Sequence, residues 1–419
     1  MKVKINHTVF IVIGLIILLI AGNYWGIAQF VLPYKVRLYT LILSGVIPLL
    51  LPLYYKKESI IVPWMLCFFF VLFRNQEFAS GGYYNSIRLI GAYLFIFSSA
   101  KSCEWIKKAP KIIIAVGIAN VITTLLFFIN NGLYENFIKL TYKQYQNGTG
   151  NGIYGYRAGL ADHYSQNGTY IVMVLLAVWS IFLCMKKGEK KRKFLLALGV
   201  ISTFALLLTS KRAHLLFGVA TLIVVYYIAN SEKRLNKSFK LMMTAVVAIV
   251  VFNFTADFIP AISNVFERFQ TAGFDNASLS RFIMWEIALS IFSAHPVLGI
   301  GWYGFRYKSG LSALTGATAG CHNMYIELLA ETGILGTSLF VIAMAFSLIL
   351  TIHNLNLLSD YEDENGKKMR WALAVSSAIQ IFVLLYGTTG NPIYDSTFCF
   401  YAVAVAINIS FTSNMRGGI

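Results

Sequence analysis

Charge is scarce in this chain. Of its 419 residues only 13% are Asp, Glu, Lys or Arg, against the ~25% usual for a soluble domain, while hydrophobic types reach 57% and mean hydropathy is +0.65. That composition argues against a soluble globular enzyme, and so much apolar material excludes a disordered chain. Acidic residues are rarer still, 18 against 35 basic ones, for a net charge of +17. In a soluble protein this balance would indicate nucleic acid. Here the basic residues fall in short clusters between long apolar runs, the pattern by which membrane proteins orient themselves, so no nucleic-acid partner is expected. The five cysteines, Cys67, Cys103, Cys184, Cys321 and Cys399, are odd in number and form no CxxC pair, which gives a disulfide framework or zinc site little support. There is no internal repeat and no low-complexity tract.

What is present is a series of apolar runs of the length a bilayer requires, about 20 residues each. They lie near 8–30, 36–55, 59–73, 86–100, 111–130, 167–185, 194–210, 213–230, 239–256, 333–353, 370–388 and 397–412. The first follows Lys2 and Lys4 but has no small-residue cleavage site, so it reads as a helix and not as a signal peptide. The expected fold is an all-α integral membrane protein of about 12 transmembrane helices, with residues 1–419 forming a single membrane domain. With both termini in the cytoplasm, most basic residues fall on the inner side, the densest cluster being Lys186, Lys187, Lys190, Lys191, Arg192 and Lys193. Two long segments then face outward, 131–166 and a larger loop, 257–332, between helices 9 and 10. Loops of that size are usually functional. In the second, Ser280 is placed to cap a helix from Arg281 to about Ala294 that stops at Pro296, with Phe282, Trp285, Leu289 and Phe292 as its greasy face.

Ionisable groups close to a membrane are costly and mark candidate sites. Arg37, Arg74, Arg88, Arg157, Lys211, Arg212, Arg281 and Arg306 fall on or near the outer side, and guanidinium groups grip phosphate bidentately. For Arg37, Arg74 and Arg88, snorkelling to the interface competes with that role. Lys211 and Arg212 sit in "LLLTSKRAHLLFG", a turn of almost no length between two runs, so both are fixed near the outer rim; His214 follows. Arg157 lies in the glycine-rich "GIYGYRAGLADHYSQNGTY", where Asp162 and His163 lack further ligands at a metal-site spacing. The richest stretch is "SLSRFIMWEIALSIFSAHPVLGIGWYGFR" followed by "GCHNMYIELLAETGILG". In it Trp285 is one turn from Arg281, in reach of its guanidinium, and His322, Asn323, Glu327 and Glu331 follow. A neutral imidazole can take a proton from a sugar hydroxyl, and a hydrogen-bonded structural histidine is the competing account.

In order, Arg281, Trp285, Pro296, Gly299, Gly301, His322, Asn323, Glu331, Gly333, Ile334 and Gly336 resemble the C-terminal signature of the O-antigen ligase/polymerase family. "SKRAH" resembles its Ser-Arg element, with Lys211 inserted, and "YRAGLADHYSQNGTY" resembles its upstream Arg-x-x-Gly…Asn element, with Gln166 where a proline is usual. The resemblance implies a GT-C-like helical fold with no required metal or other cofactor. It implies an undecaprenyl-diphosphate-linked glycan entering from the lipid bilayer at the outer face of the bacterial cytoplasmic membrane. By the same resemblance His322, Arg281 and Arg212 are the catalytic candidates, with Arg157, Lys211, Trp285, Asn323 and Glu331 as candidates for holding pyrophosphate or glycan. Glu331 or Glu327 is the candidate for orienting His322. The expected activity is polymerisation of repeat units, with a flippase and a chain-length regulator as partners. A ligase moving a finished glycan to a terminal acceptor is the alternative. A multi-span transporter is an alternative of another class, against which stands the long loop appearing only once, without a paired half.

Overall fold

The computed structural model describes residues 7–21, 61–100, 102–141, 152–161, 163–186, 188–229, 236–244, 247, 276–309, 320–359 and 363–415. Helices dominate them: α1 His7–Ala21, α2 Val62–Phe73, α3 Gln76–Ala79, α4 Tyr84–Ser99, α5 Ala109–Ile129, α6 Asn131–Thr141, a 3-10 segment Gly152–Ala158, α7 Tyr164–Cys184, α8 Arg192–Leu208, α9 Arg212–Ala229, α10 Asn276–Ala294, α11 Gly304–Lys308, α12 Met324–Leu357, α13 Glu364–Tyr386 and α14 Thr397–Met415. Among the described residues, 6 helices are long and apolar enough to cross a membrane: α5, α7, α9, α12, α13 and α14. The expected twelve is a larger number. Part of the difference lies in α1, α2, α4 and α8, apolar helices of 12 to 17 residues that coincide with expected runs but are short. The expected runs at 36–55 and 239–256 lie wholly or mostly outside the described residues.

α7 is the axis. Its sequence is apolar all round, as a helix surrounded by protein must be, and 78% of its apolar window is buried. α5, α8, α9 and α13 pack around it, and α14 fits between α13 and α4. α9 and α12, with only 28% and 33% of their windows buried, form the periphery. Their exposed Leu216, Val219, Val341, Ile342 and Ile349 are the side chains that a bilayer would cover. Polar side chains bind the inner helices to one another. Gln380 on α13 donates to Thr351 on α12 at 2.8 Å, and Asn354 on α12 donates to Asn408 and Thr412 on α14 at 2.8 and 2.9 Å. Hydrogen bonds suit this task because lipid supplies no hydrophobic drive between helices.

The tenth expected run, 333–353, coincides with the longer part of α12. The helix begins at Met324 and is broken at Gly333, whose φ of 61° and ψ of −169° interrupt the helical backbone. A short inner piece, 324–332, is thus separated from a long outer rod.

Candidate functional site

α10 brings the site together. It starts at Asn276, four residues before the expected cap at Ser280, and ends at Ala294 as its spacing predicts. Of its greasy face, Phe282 and Leu289 are exposed, while Ala288 is fully buried beside Phe305, Cys321 and Ala330, with Met284, Trp285 and Ile291 packed around it. Trp285 is turned toward the protein, donating its indole N–H to the Cys321 carbonyl at 2.9 Å with its ring edge-on to Phe282.

The two glycine motifs form one interlocked junction. Ile300 and Gly301 donate to the carbonyls of Ala330 and Glu331 at 3.1 and 2.8 Å, and Ile334 and Leu335 donate to those of Pro296 and Val297 at 2.8 and 3.2 Å. The loop therefore supplies the hydrogen bonds that the broken helix gives up. Gly299 and Gly333 both have φ of 61°, and a Cβ on either would collide with the other strand's backbone. Glu331, fully buried, accepts from the Tyr303 and Phe305 amides at 2.9 Å each. Glu331 thereby clamps the loop. Arg74 likewise is a brace, donating to the Gly299 carbonyl at 2.8 Å.

At the other end of the inner piece sits His322. It is one of three non-glycine residues with positive φ among the described residues, at 57°, with Ser210 at 55° and Tyr303 at 62°. Such backbone persists only where its surroundings over-determine it, and it concentrates at functional sites. Here the constraints are visible. The amide of the preceding residue, Cys321, donates to buried Glu327 at 2.8 Å while its carbonyl accepts from Trp285. Asn323 caps α12, accepting from the amides of Tyr325 and Ile326, and donates to the Thr388 carbonyl at 3.2 Å. Met324 donates to the carbonyls of Gly387 and Gly390 at the end of α13. Asn323 therefore serves as a helix cap and tether.

His322 itself keeps a solvent-exposed face. Packing around the ring, then the charges of Arg281, Lys211, Arg306 and His163, push its pKa down to about 4. The imidazole is therefore neutral at pH 7. Arg281 enters from α10, Lys211 from the α8–α9 hairpin and Arg306 from α11. Lys211 stands over the Tyr164 ring, 5.4 Å from its centroid, next to the left-handed Ser210. Arg212, the next residue, is half-buried at the first position of α9. The hairpin cation whose charge acts on His322 is thus Lys211, the residue inserted into the sequence element.

Arg157 is set by a different device. Buried Asn167 donates to the Arg157 carbonyl at 2.8 Å and to Thr124 at 2.8 Å, and accepts from Asn120 at 3.0 Å. Gly159, at φ 53°, lies against the same amide. The spacing of Arg157, Gly159 and Asn167 is therefore the spacing of one loop folded onto one side chain, a half-buried Arg157 on its near edge.

Sequence reasoning missed two contributors. Arg306 was one cation among many; its Nε lies 3.9 Å from Glu327, behind His322. His163 drew attention only as a metal candidate. Its Nδ1 accepts from the Ser165 amide at 3.0 Å, which caps α7 and leaves the proton on Nε2, and burial followed by the Lys211 charge pushes its pKa down to about 4. Among the described residues no cluster of three or more His, Cys, Asp or Glu could hold a metal ion.

The class this defines is a helical membrane protein with a cation-ringed histidine at the start of a broken helix. Residues 197–341 match the family model described as O-antigen ligase, and this match supports the O-antigen ligase/polymerase family for the chain. The matched segment holds Lys211, Arg212, Arg281, the 296–301 loop, His322 and Gly333. That family implies a glycosyl-transferring membrane enzyme with a lipid-linked glycan as substrate. No curated protein matches the chain.

Proposed function

We propose that this chain joins undecaprenyl-diphosphate-linked repeat units at the outer face of the bacterial cytoplasmic membrane, as a metal-independent O-antigen, capsule or exopolysaccharide polymerase. The observation that carries the reading is the neutral His322 set among Arg281, Lys211 and Arg306, within a segment that matches the O-antigen ligase family. In the proposed reaction an acceptor sugar hydroxyl attacks the anomeric carbon of the donor. The new glycosidic C–O bond forms as the bond to the diphosphate oxygen breaks, and the hydroxyl proton passes to the imidazole. The diphosphate departs with the electron pair, and fixed cations stabilise the charge it develops. Arg281, Arg212 and Lys211 are assigned to that task, with Arg157 at the edge.

A bound diphosphate would cancel much of the surrounding positive charge and lift the His322 pKa toward neutrality, where a general base works best. Substrate binding would thus arm its own base.

Transfer of a finished glycan to a terminal acceptor is the second reading, favoured by the description of the matched family as a ligase. Twelve membrane spans, both ends cytoplasmic, and a flippase and chain-length regulator as partners complete the proposal. Lipid analysis of a deletion strain tests it. Single repeat units on undecaprenyl diphosphate are the expected accumulation; long chains on that carrier would assign the ligase, and no lipid-linked glycan at all would defeat both.

A further inference from the structure

We propose that a second cleft, at the end of α10 away from Arg281, binds the phosphate headgroup of a lipid. It is open, about 590 Å³ in volume, and walled by Arg74, Gln76, Ser290, His295 and Lys308, with Gly299 and Ile300 of the junction loop at its base. The inference stands on this cleft alone and is independent of the proposed reaction.

Charge is the first argument. Among the described residues, Arg74 and Lys308 both line the cleft and no carboxylate does. Arg74 is held by the carbonyls of Leu298 and Gly299, at 3.3 and 2.8 Å. Neutral carbonyls orient a guanidinium without cancelling its charge, and its buried Nε has no hydrogen-bond partner among the described residues. The nearby C-terminus of α10 offsets only about half a unit of positive charge. Neighbouring acids do not supply the rest: Glu77 is directed at Asn85 and Ser86, and Glu286 stands one turn back on α10, outside the wall. A guanidinium pinned through Nη2 keeps Nη1 for a phosphate oxygen, and the exposed Lys308 ammonium adds a point charge.

The rim is the second argument. Phe73, immediately before Arg74, is 80% exposed, and Val297 and Leu298, immediately before Gly299, are 60% and 42% exposed. Arg74 terminates the apolar helix α2. The cationic wall and greasy rim are therefore adjacent along the chain, which suits an amphiphile whose phosphate enters the cleft and whose hydrocarbon lies on the rim. Basic pockets between membrane helices bind anionic lipid headgroups in this way. From Arg281 to His295 the helix rises about 21 Å at ~1.5 Å per residue, so occupants of the two places would not exclude each other.

The test uses the full chain in phosphatidylcholine nanodiscs carrying a trace of phosphatidic acid with a photoreactive group in its acyl chain. Crosslinks are expected to concentrate on peptides covering 69–76 and 290–300. K308Q is expected to lower that labelling about fivefold, the effect of one basic residue on an anionic headgroup. A294W, which fills the cleft, should reduce it to the level of other lipid-facing helices. Because Lys308 is exposed, K308Q reads the site even if A294W fails to fold. Excess phosphatidic acid or polyprenyl phosphate should compete, and inorganic phosphate at the same concentration should not. Even labelling of all lipid-facing helices, unchanged labelling in K308Q, or equal competition by inorganic phosphate would overturn the assignment.

Discussion

The nine residues from Met324 to Thr332 have two very different ends. At Gly333 the chain is locked to the 296–301 loop by backbone hydrogen bonds, with buried Glu331 clamping two further amides. At His322 the backbone is held as firmly, but the side chain faces a half-open mouth crowded with positive charge. At one end the broken backbone is paired across the junction; at the other it is rigid while the charge around the side chain is unbalanced. Such an imbalance is unfavourable in a resting protein and becomes favourable when an anion arrives. The contrast locates structure at one end and chemistry at the other.

Substitutions at four positions would break or sharpen that contrast. The largest effect on folding is expected at the closed end. Gly333→Ala puts a Cβ into the Val297 backbone at a φ/ψ that only glycine adopts readily, a conformational cost of about 1–3 kcal/mol before the collision is counted. The detergent-solubilised protein should melt well below the parent or fail to accumulate; an unchanged melting temperature would show that the junction yields. At the open end the effect should fall on activity alone. His322→Asn, which tolerates positive φ, and His322→Ala should each lower glycan chain growth about 10²–10⁴-fold, the range of general base catalysis, with little change in melting. Normal polymer on a gel would refute the base.

Arg281→Lys should fail nearly as badly as Arg281→Ala if the contact is bidentate; full rescue by lysine would leave only a point charge. The same position controls the imidazole. In the free protein the acid limb of kcat/KM should fall near pH 4, and Arg281→Gln, by removing a cation, should move it upward toward 6.5. Folded-state pKa values of about 4 for His322 and His163 lie below the unfolded value. Their contribution to stability is therefore present above pH ~6.5 and is lost as pH falls toward 4. A melting temperature flat over that interval would contradict the shifts. The smallest effect is at Asn323, where Ala should cost about 1 kcal/mol through loss of the cap and Asp or Ser should restore most of it.

The sequence made the apolar helices legible because a bilayer imposes length and hydropathy. It also made the association of Arg281, His322 and the glycine motifs legible through their order. It did not reveal which face of α10 docks. Phe282 and Leu289 look like an inner face, but a lipid-facing surface is as apolar as a protein-facing one, so periodicity loses its meaning there. Nor did it separate structural from chemical polar residues. Glu331 and Asn323 have side chains suited to a ligand, yet their partners are backbone groups, which no residue spacing encodes. Lys211 looked like an interruption of a pattern, whereas the hairpin turns its charge toward the mouth. His163 gave a signal only in hindsight: a histidine directly before an apolar helix, in capping position.

The break at Gly333 has a mechanical consequence. A continuous α12 would act as a lever, so that any tilt of its outer rod, as the bilayer thickens or thins, would swing the imidazole. With the helical ladder cut and the inner piece bolted to the loop beneath and to α13 beside it, that motion ends at the hinge. The chain can ride a deformable sheet of lipid while its reactive nitrogen stays in register with its neighbours.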